Sequence, residues 1–306
     1  MNIVSFLPAA TEMVYALGLG DDLKAISHEC DYPEAARTKP VAVHPALDLT
    51  GLGPAEIDAR VTRQLHEHGT IYEVDERILR EARPDLLLTQ NLCQVCAPSG
   101  NEASRAVAAL DPPPTVLWMS PHSVEGVFEN IRDLGRATHR EPAAEELVAG
   151  LRARLERLHL PRTPPGPTPR VFCLEWVDPV FCSGHWVPEM VRIAGGIDLL
   201  GRPGEDSVRI PWDDVVRWAP EILVVAPCGG PLTAAREAAD RLRALPGYRE
   251  LPAVVSGRVF AVDSSAYLSR PGPRVVDGVE LLAHLIDPAR HAWNGPKDAF
   301  ERCAAG

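Results

Sequence analysis

A strand–loop–helix pattern that occurs in both halves of the chain is the feature that most constrains its fold. In the first half, short apolar runs are followed by polar loops or helical patterns, at residues 3–7, 23–27, 86–89 and 115–119. In the second half, the same pattern recurs at residues 170–174, 222–225 and 258–262. Because strands that alternate with helices are typical of parallel sheets, the sequence predicts an α/β protein with two Rossmann-like lobes whose sheets are mainly parallel.

One apolar stripe separates the two halves. From Pro142 onward, leucines recur at helical spacing up to Leu158, and a proline is tolerated in a first helical turn. The segment PRTPPGPTP that follows is typical of a stiff linker. We therefore expect a single long helix to join the lobes, with a ligand cleft between them. The predicted divisions are an N-terminal lobe, a backbone helix with its linker, and a C-terminal lobe, at residues 1–140, 141–167 and 168–306.

Charge and hydropathy limit the partners and the location of the chain. Its 306 residues carry a formal net charge of −11, which argues against a protein that binds nucleic-acid phosphates. No run approaches the ~20 apolar residues of a membrane-spanning helix, so we expect no membrane insertion. The first residues, MNIVSFLPAATEMV, do not have the pattern of a signal peptide. As written, the chain is expected to be cytoplasmic, or periplasmic if a leader has been removed.

The loops after the predicted strands contain the candidate binding residues, because ligands of open α/β sheets bind at the carboxyl ends of the strands. These candidates are His28, Glu29, Asp31, Tyr32 and Gln90 in the first half, and Glu175, Trp176, His185, Trp186, Tyr267 and Arg270 in the second. The aromatic residues suit the walls of a site for a large flat ligand, although packing in the core is the alternative for each. The carboxylates could bind amide groups of a ligand, or be solvated, or cap a helix.

His28 and His185 are the candidates for a neutral axial ligand to a transition metal, since imidazole suits that role. For each histidine alone, a local hydrogen bond to the backbone is the more common explanation. The sequence at this point leaves both interpretations open.

The seven cysteines suggest a second site. Cys93 and Cys96 form a close pair, and we predict that they meet Cys30 and His28 at one edge of a sheet. Such a group could hold a metal ion such as zinc, contain a redox pair, or consist of inert packed thiols. A cytoplasmic metal- or thiol-dependent enzyme that uses these three cysteines and Cys228 is the alternative function. The sequence contains no nucleophile elbow and no phosphate-binding glycine loop, so binding without turnover is favoured.

Several segments of the chain resemble the cobalamin-binding proteins of bacterial ABC importers. The resemblance is carried by the opening IVSFLPAATEMVYALGLG, by SHECDYP, by ARPDLLLTQ, by CLEWVDPVFCSGHWVPEM and by the closing SRPGPR. It extends over nearly the whole chain. Some of these segments are also shared with siderophore and haem binders of the same architecture, a group of metal receptors whose lobes are joined by one backbone helix.

The resemblance implies a function and a partner. It implies that a corrinoid such as cobalamin is bound between the lobes, with haem or a siderophore as the alternative ligand. It also implies docking onto an ABC permease through one acidic residue on each lobe. By position, Glu76 and Asp213 are the acidic residues that match this role.

Overall fold

The computed structural model describes residues 1–91, 107–108, 110–158 and 166–303. The chain divides into two compact units. The first consists of Met1–Pro121 and Glu125–Gly150, and the second of His122–Val124 and Leu151–Gly306. No helix within the described ranges is long and apolar enough to cross a membrane.

The first unit contains a six-stranded sheet in the order β4-β3-β2-β1-β5-β6. Its strands are β1 Ile3–Ser5, β2 Leu23–Ser27, β3 Val41–Pro45, β4 Tyr72–Val74, β5 Leu86–Thr89 and β6 Thr115–Trp118. All neighbours are parallel except β3 and β4. The central strands β1 and β5 are fully buried, as expected for parallel strands covered on both faces.

Among the described residues, five α-helices and one short 3₁₀ segment belong wholly or in part to the first unit. They are α1 Pro8–Ala16, the 3₁₀ segment Glu34–Thr38, α2 Pro54–His68, α3 Glu76–Ala82, α4 Val124–Thr138 and α5 Glu141–Glu156. Helix α1 begins at a proline, where the missing N–H costs no hydrogen bond. Asp75 caps α3 by accepting the N–H groups of Arg77 and Ile78.

The second unit contains a five-stranded sheet in the order β11-β10-β9-β7-β8. Its strands are β7 Val171–Val177, β8 Val180–Cys182, β9 Ile222–Val225, β10 Val259–Val262 and β11 Phe300–Arg302. The three central strands are parallel, and the two edge strands pair antiparallel with their neighbours. The two sheets confirm the predicted α/β class with mainly parallel strands.

Short helices surround the second sheet. They are α6 Val187–Ile193, α7 Trp212–Trp218, α8 Leu232–Leu242, α9 Pro252–Val255, α10 Ser264–Tyr267 and α11 Val275–Ile286. One core cluster packs against Phe172, Leu174, Leu223 and Val225, whose side chains are inaccessible to solvent. The carboxyl ends of β7, β9 and β10 are therefore held by a rigid scaffold.

The predicted leucine stripe lies on α5. Leu151 and Leu155 are buried on its inner face, together with Val148. The leucine pattern extends to Leu158, whereas α5 ends at Glu156. We propose that one helix joins two lobes, which consist of residues 1–140 and 168–306.

Strand β7 is longer than the sequence pattern indicates, and this changes the position of two candidate residues. Glu175 and Trp176 are predicted to follow the strand, but both lie within it. The reason is the antiparallel hairpin with β8, in which Trp176 is paired with Phe181. Such pairing extends a strand beyond its apolar run, because it depends on a partner and not on local hydrophobicity.

An ion cluster fixes the second-unit part of α5 to α11. The Arg154 guanidinium donates to Glu280 at 3.0 and 2.6 Å and to Asp277 at 2.5 Å. The hydrogen bond to Glu280 and the contact with Asp277 raise the pKa of Arg154 above its usual value. We expect Arg154→Ala to lower the free energy of unfolding by about 1–2 kcal/mol, a value between those typical of exposed and of desolvated ion pairs. Urea denaturation of wild type and variant measures this loss, and high salt should reduce the difference in stability between the two proteins.

The matched control is Arg157→Ala, which removes an exposed arginine one turn away. Its effect should stay within about 0.5 kcal/mol, as for most surface substitutions. Equal effects of the two substitutions would show that the cluster adds no specific stability.

Candidate functional site

The carboxyl edge of the first sheet carries several of the predicted residues. After β2, His28 is exposed, and its Nδ1 lies 3.1 Å from the carbonyl oxygen of Val43. Tyr32 follows and is 48% exposed, whereas Gln90, directly after β5, is buried. Asp31 forms a 3.8 Å ion pair with Arg37, and Glu29 is half-buried. This edge therefore presents an imidazole and a phenol to solvent.

The predicted thiol site is only partly described. Cys30 is buried beneath α1, where the hydroxyl of Thr11 donates to its sulfur at 3.1 Å. Cys93 and Cys96 lie outside the described residues. Strand β1 lies between β2 and β5, the strands that precede Cys30 and the cysteine pair. Among the described residues, no three or more His, Cys, Asp or Glu side chains are arranged to hold a metal ion. The thiol site remains a prediction.

The carboxyl edge of the second sheet is organised by the β7–β8 hairpin. The carboxylate of Glu175 accepts the N–H of Gly184 at 3.1 Å, and its carbonyl accepts the N–H of Cys228 at 3.0 Å. The indole N–H of Trp176 donates to the carbonyl oxygen of Asp178 at 3.1 Å. Glu175 thus connects the loop after β8 with the loop after β9.

His185 is the most constrained of the predicted residues. Its backbone has a φ of +51°, in the left-handed region that non-glycine residues rarely adopt. The 204–206 segment fixes this conformation, since the N–H of His185 donates to Glu205 at 2.6 Å and its carbonyl accepts from Gly204 at 2.8 Å. The side chain is 12% exposed, and its Nε2 lies 3.0 Å from Asp206.

The electrostatics of His185 favour a neutral imidazole. Burial lowers the pKa of His185 below its usual value, and the carboxylate of Asp206 offsets part of that effect. A neutral imidazole retains a nitrogen lone pair, which a transition metal requires of a histidine ligand.

Trp186 and Tyr267 lie in the interior of the second unit. Trp186 is 6% exposed, and its indole N–H donates to the carbonyl oxygen of Leu268 at 2.8 Å. Tyr267 is 8% exposed and packs edge-on against Trp293, with ring centroids 5.6 Å apart. Both contribute to packing. Arg270 is half-buried and Cys228 is exposed at the same edge of the sheet.

Two aromatic residues near strand ends were not predicted from the sequence. Trp118, the last residue of β6, is 42% exposed. His122 is exposed, and its ring centroid lies 6.1 Å from that of His185 within the second unit. The rule that places ligands at the carboxyl ends of strands could have identified His122, because it lies four residues after Trp118, the last residue of β6.

The two predicted docking carboxylates are exposed. Glu76 is the first residue of α3 and forms a 2.5 Å ion pair with Arg80. Asp213 lies in the first turn of α7. Their solvent exposure is compatible with the role that the resemblance implies, which remains a prediction.

A family model described as periplasmic binding protein matches residues 3–266. The chain belongs to this family. The sequence-based resemblance is thus confirmed at the level of the family.

The family's relatives match the chain over almost its full length. The vitamin B12-binding protein of Vibrio cholerae is 24% identical over 295 residues, which covers 94% of this chain and 90% of the relative. The ABC transporter substrate-binding lipoprotein YvrC of Bacillus subtilis is 25% identical over 296 residues, covering 94% and 80%.

Solved structures of other binding proteins have the same fold. The periplasmic vitamin B12-binding protein BtuF of Vibrio cholerae superimposes with a TM-score of 0.65 at 22% identity and covers 94% of this chain and 97% of its own. The periplasmic haem-binding protein RhuT from Roseiflexus gives a TM-score of 0.71 at 20% identity, covering 94% and 98%.

Proposed function

We propose that this chain binds a planar metal chelate, in the first instance a corrinoid of the cobalamin type, and passes it on without chemical turnover. The observation that carries the proposal is His185, a half-buried imidazole whose burial favours the neutral state and whose backbone is fixed by the 204–206 segment. Such a group is a preorganised donor for a chelated metal. The ligand named for the Vibrio cholerae relative supports the choice of a corrinoid.

Haem is the second candidate ligand. Imidazole is a donor for iron as well as for cobalt. Several proteins of the same fold are described as periplasmic haem-binding proteins, among them RhuT. A siderophore lacks the flat, conjugated tetrapyrrole ring that aromatic side chains can stack against, and we rank it below both.

The first unit offers groups that suit the same class of ligand. Tyr32 and Trp118 are exposed aromatic side chains at its sheet edge. His28 provides a further imidazole there. Aromatic rings can contact the apolar face of a macrocycle, while a polar tip keeps contact with water. We propose Tyr32, Trp118 and His28 as contacts in that unit.

A thiol-dependent enzyme is not supported by the matched proteins reported above, which are named as binding proteins. We therefore propose a binding protein and not a catalyst.

We further propose that the protein works with an ABC permease outside the cytoplasmic membrane. The names of its relatives support this location, since they include a periplasmic protein and a lipoprotein. The exposed carboxylates Glu76 and Asp213 are the proposed docking residues. This proposal replaces the expectation of a cytoplasmic protein.

Calorimetric titration of the purified protein with cyanocobalamin, aquocobinamide and ferric haem tests the proposed function. We expect at least one of the three to bind with a Kd of about 1 μM or lower, which corresponds to roughly 8 kcal/mol. Titration of each ligand into buffer without protein is the control for heats of dilution and for self-association of the macrocycles. Absence of binding by all three ligands would refute the proposal.

A further inference from the structure

Two imidazole rings lie side by side on the second unit. The ring centroids of His122 and His185 are 6.1 Å apart, and the planes are tilted by 34°. His185 also lies beside Trp186, at 5.5 Å between centroids. Two histidines that are distant in sequence are thus brought together by the fold, and both contact the same short segment, residues 204–206.

The hydrogen-bond partners determine which nitrogen of each ring carries the proton. Nδ1 of His122 lies 3.0 Å from the carbonyl oxygen of Gly204, and a carbonyl can only accept. Nδ1 of His122 must therefore carry the hydrogen, which leaves the lone pair of the neutral ring on Nε2. Nε2 of His185 lies 3.0 Å from the carboxylate of Asp206. An ionised carboxylate also only accepts, so the lone pair of neutral His185 is on Nδ1.

This arrangement is the one that metal-binding histidines adopt. A ligating imidazole usually donates its other N–H to a carboxylate or a backbone carbonyl, which fixes the tautomer and makes the ring more basic. His185 has a carboxylate partner and His122 a carbonyl partner. Each ring thus has one nitrogen that is hydrogen-bonded to the protein and one nitrogen whose lone pair can bind a metal.

The 204–206 segment cannot move away easily. The backbone of His185 is bonded to it on both sides, through Gly204 and Glu205. At Gly184, an added Cβ would lie 2.3 Å from the N of Ser207 and 2.7 Å from the carbonyl oxygen of Glu205. This close approach explains why residue 184 is a glycine. It also fixes the distance between the 204–206 segment and the backbone of His185. Both tautomers are therefore set by a preorganised scaffold.

We propose that His122 and His185 form a paired imidazole donor for the metal of the bound chelate, with Asp206 as the positioning residue of His185. The inference rests on the proposed function and narrows its ligand class. A bare zinc ion usually takes a tetrahedral set of protein ligands, of which two imidazoles are only part. A corrin or porphyrin supplies the in-plane donors itself and needs only axial ones. Two imidazoles can bind one such metal only at its two opposite axial positions. The protein should therefore prefer chelates in which both axial positions are exchangeable, such as ferric haem and aquocobinamide in its diaquo form.

The test combines absorption spectra with calorimetry, because the spectrum reports ligation of the metal and calorimetry reports affinity alone. With ferric haem or aquocobinamide, the wild-type protein should shift the absorption maximum of the ligand. His122→Ala and His185→Ala should each weaken binding about tenfold and alter that shift, and the double variant should give the spectrum of the ligand in buffer. His68→Ala, which removes an exposed histidine of α2, is the matched control and should change neither quantity.

Asp206 is tested by a graded pair of variants. Asp206→Ala should weaken haem or aquocobinamide binding about tenfold, as is typical of a lost partner of a ligating histidine. Asp206→Asn retains an acceptor for Nε2 and should recover most of the spectral shift. Equal spectra for the alanine variant and the wild type would remove Asp206 from the proposal. Circular dichroism verifies that each variant is folded, and the single variants carry the test if the double variant is not.

The outcomes separate this inference from the proposed function. If the wild type binds ferric haem or aquocobinamide and the folded histidine variants keep its spectral shift, the paired donor is wrong and the binding function stands. If the wild type binds none of the three ligands, both proposals fail. Loss of the shift in the histidine variants, with unchanged affinity for cyanocobalamin, supports the paired donor.

Discussion

Replacing Asp198 with alanine should lower the free energy of unfolding by about 2 kcal/mol at pH 7 and by about 5 kcal/mol at pH 4. Asp198 is buried, and its carboxylate accepts from the N–H groups of Cys173, Leu200 and Gly201 and from the hydroxyl of Ser183, at 3.0 to 3.3 Å. Each buried donor that loses its acceptor costs about 1–3 kcal/mol. At pH 7 this loss is offset in part, since alanine also removes a desolvated charge.

The pH dependence follows from the direction of the pKa shift. Burial raises the pKa of Asp198 to about 6, from an ordinary value of 3.8. The folded state therefore binds a proton more tightly than the unfolded state does. Its contribution to stability is fully present below pH ~4 and falls by about 3 kcal/mol as the pH rises to ~6, at 1.36 kcal/mol per unit.

Urea denaturation of wild type and variant between pH 4 and pH 7 measures both effects. Asp198→Asn is the matched variant, because it keeps one acceptor oxygen for Leu200 and Gly201 but cannot titrate. Its amide N–H₂ would face the N–H of Cys173, so it should also be destabilised. The difference in free energy of unfolding between wild type and each variant should grow toward pH 4. An advantage that shrinks toward pH 4 would contradict the raised pKa.

Gly278→Ala should destabilise the protein by about 3 kcal/mol, at the upper end of what overpacking usually causes. A Cβ at this position of α11 would lie 2.0 Å from the carbonyl oxygen of Tyr267 and 2.6 Å from the methyl group of Met190. The carbonyl belongs to the backbone of α10 and cannot rotate away. Helix α11 would have to move away from α10 and α6. The measurement is chemical denaturation followed by tryptophan fluorescence.

Gly150→Ala is the control for the intrinsic effect of alanine in a helix. Gly150 lies in α5, and a Cβ there would meet no atom within 4 Å. Alanine at such a position should stabilise the helix by about 0.5–1 kcal/mol. The two glycine substitutions should therefore have opposite signs. A stabilising Gly278→Ala would show that α10 and α11 do not approach each other as closely as described.

The buried parallel strands are the part of the fold that the sequence predicts best. Leu86–Thr89 and Ile222–Val225 are continuous apolar runs bounded by polar loops, so their position can be read without knowledge of their neighbours. The short strands Val180–Cys182 and Phe300–Arg302 were not predicted. Each is three residues long and exists because of an antiparallel partner, which a local pattern does not reveal.

The candidate site shows the same division. The rule that ligands bind at the carboxyl ends of strands identifies His185, because His185 follows the strand predicted at residues 170–174. It cannot distinguish Trp186, whose indole is bonded inside the unit, from an exposed aromatic wall. The sequence does not predict a role for Asp206, since none of its neighbours in sequence indicates that it contacts an imidazole 21 residues earlier in the chain. Tertiary contacts between distant residues decide such roles.

The second unit is not continuous in sequence, and this limits how the protein can be cut or recombined. Its short segment His122–Val124 lies between two stretches of the first unit. Within that segment, His122 contacts the carbonyl oxygen of Gly204 at 3.0 Å, and the N–H of Val124 donates to Glu189 at 2.8 Å. A chimera that exchanges the C-terminal half from residue 151 onward would carry Gly204 and Glu189 from one parent and their partners from the other. Exchange of ligand preference between family members should therefore require transplanting this tripeptide together with the half that holds it.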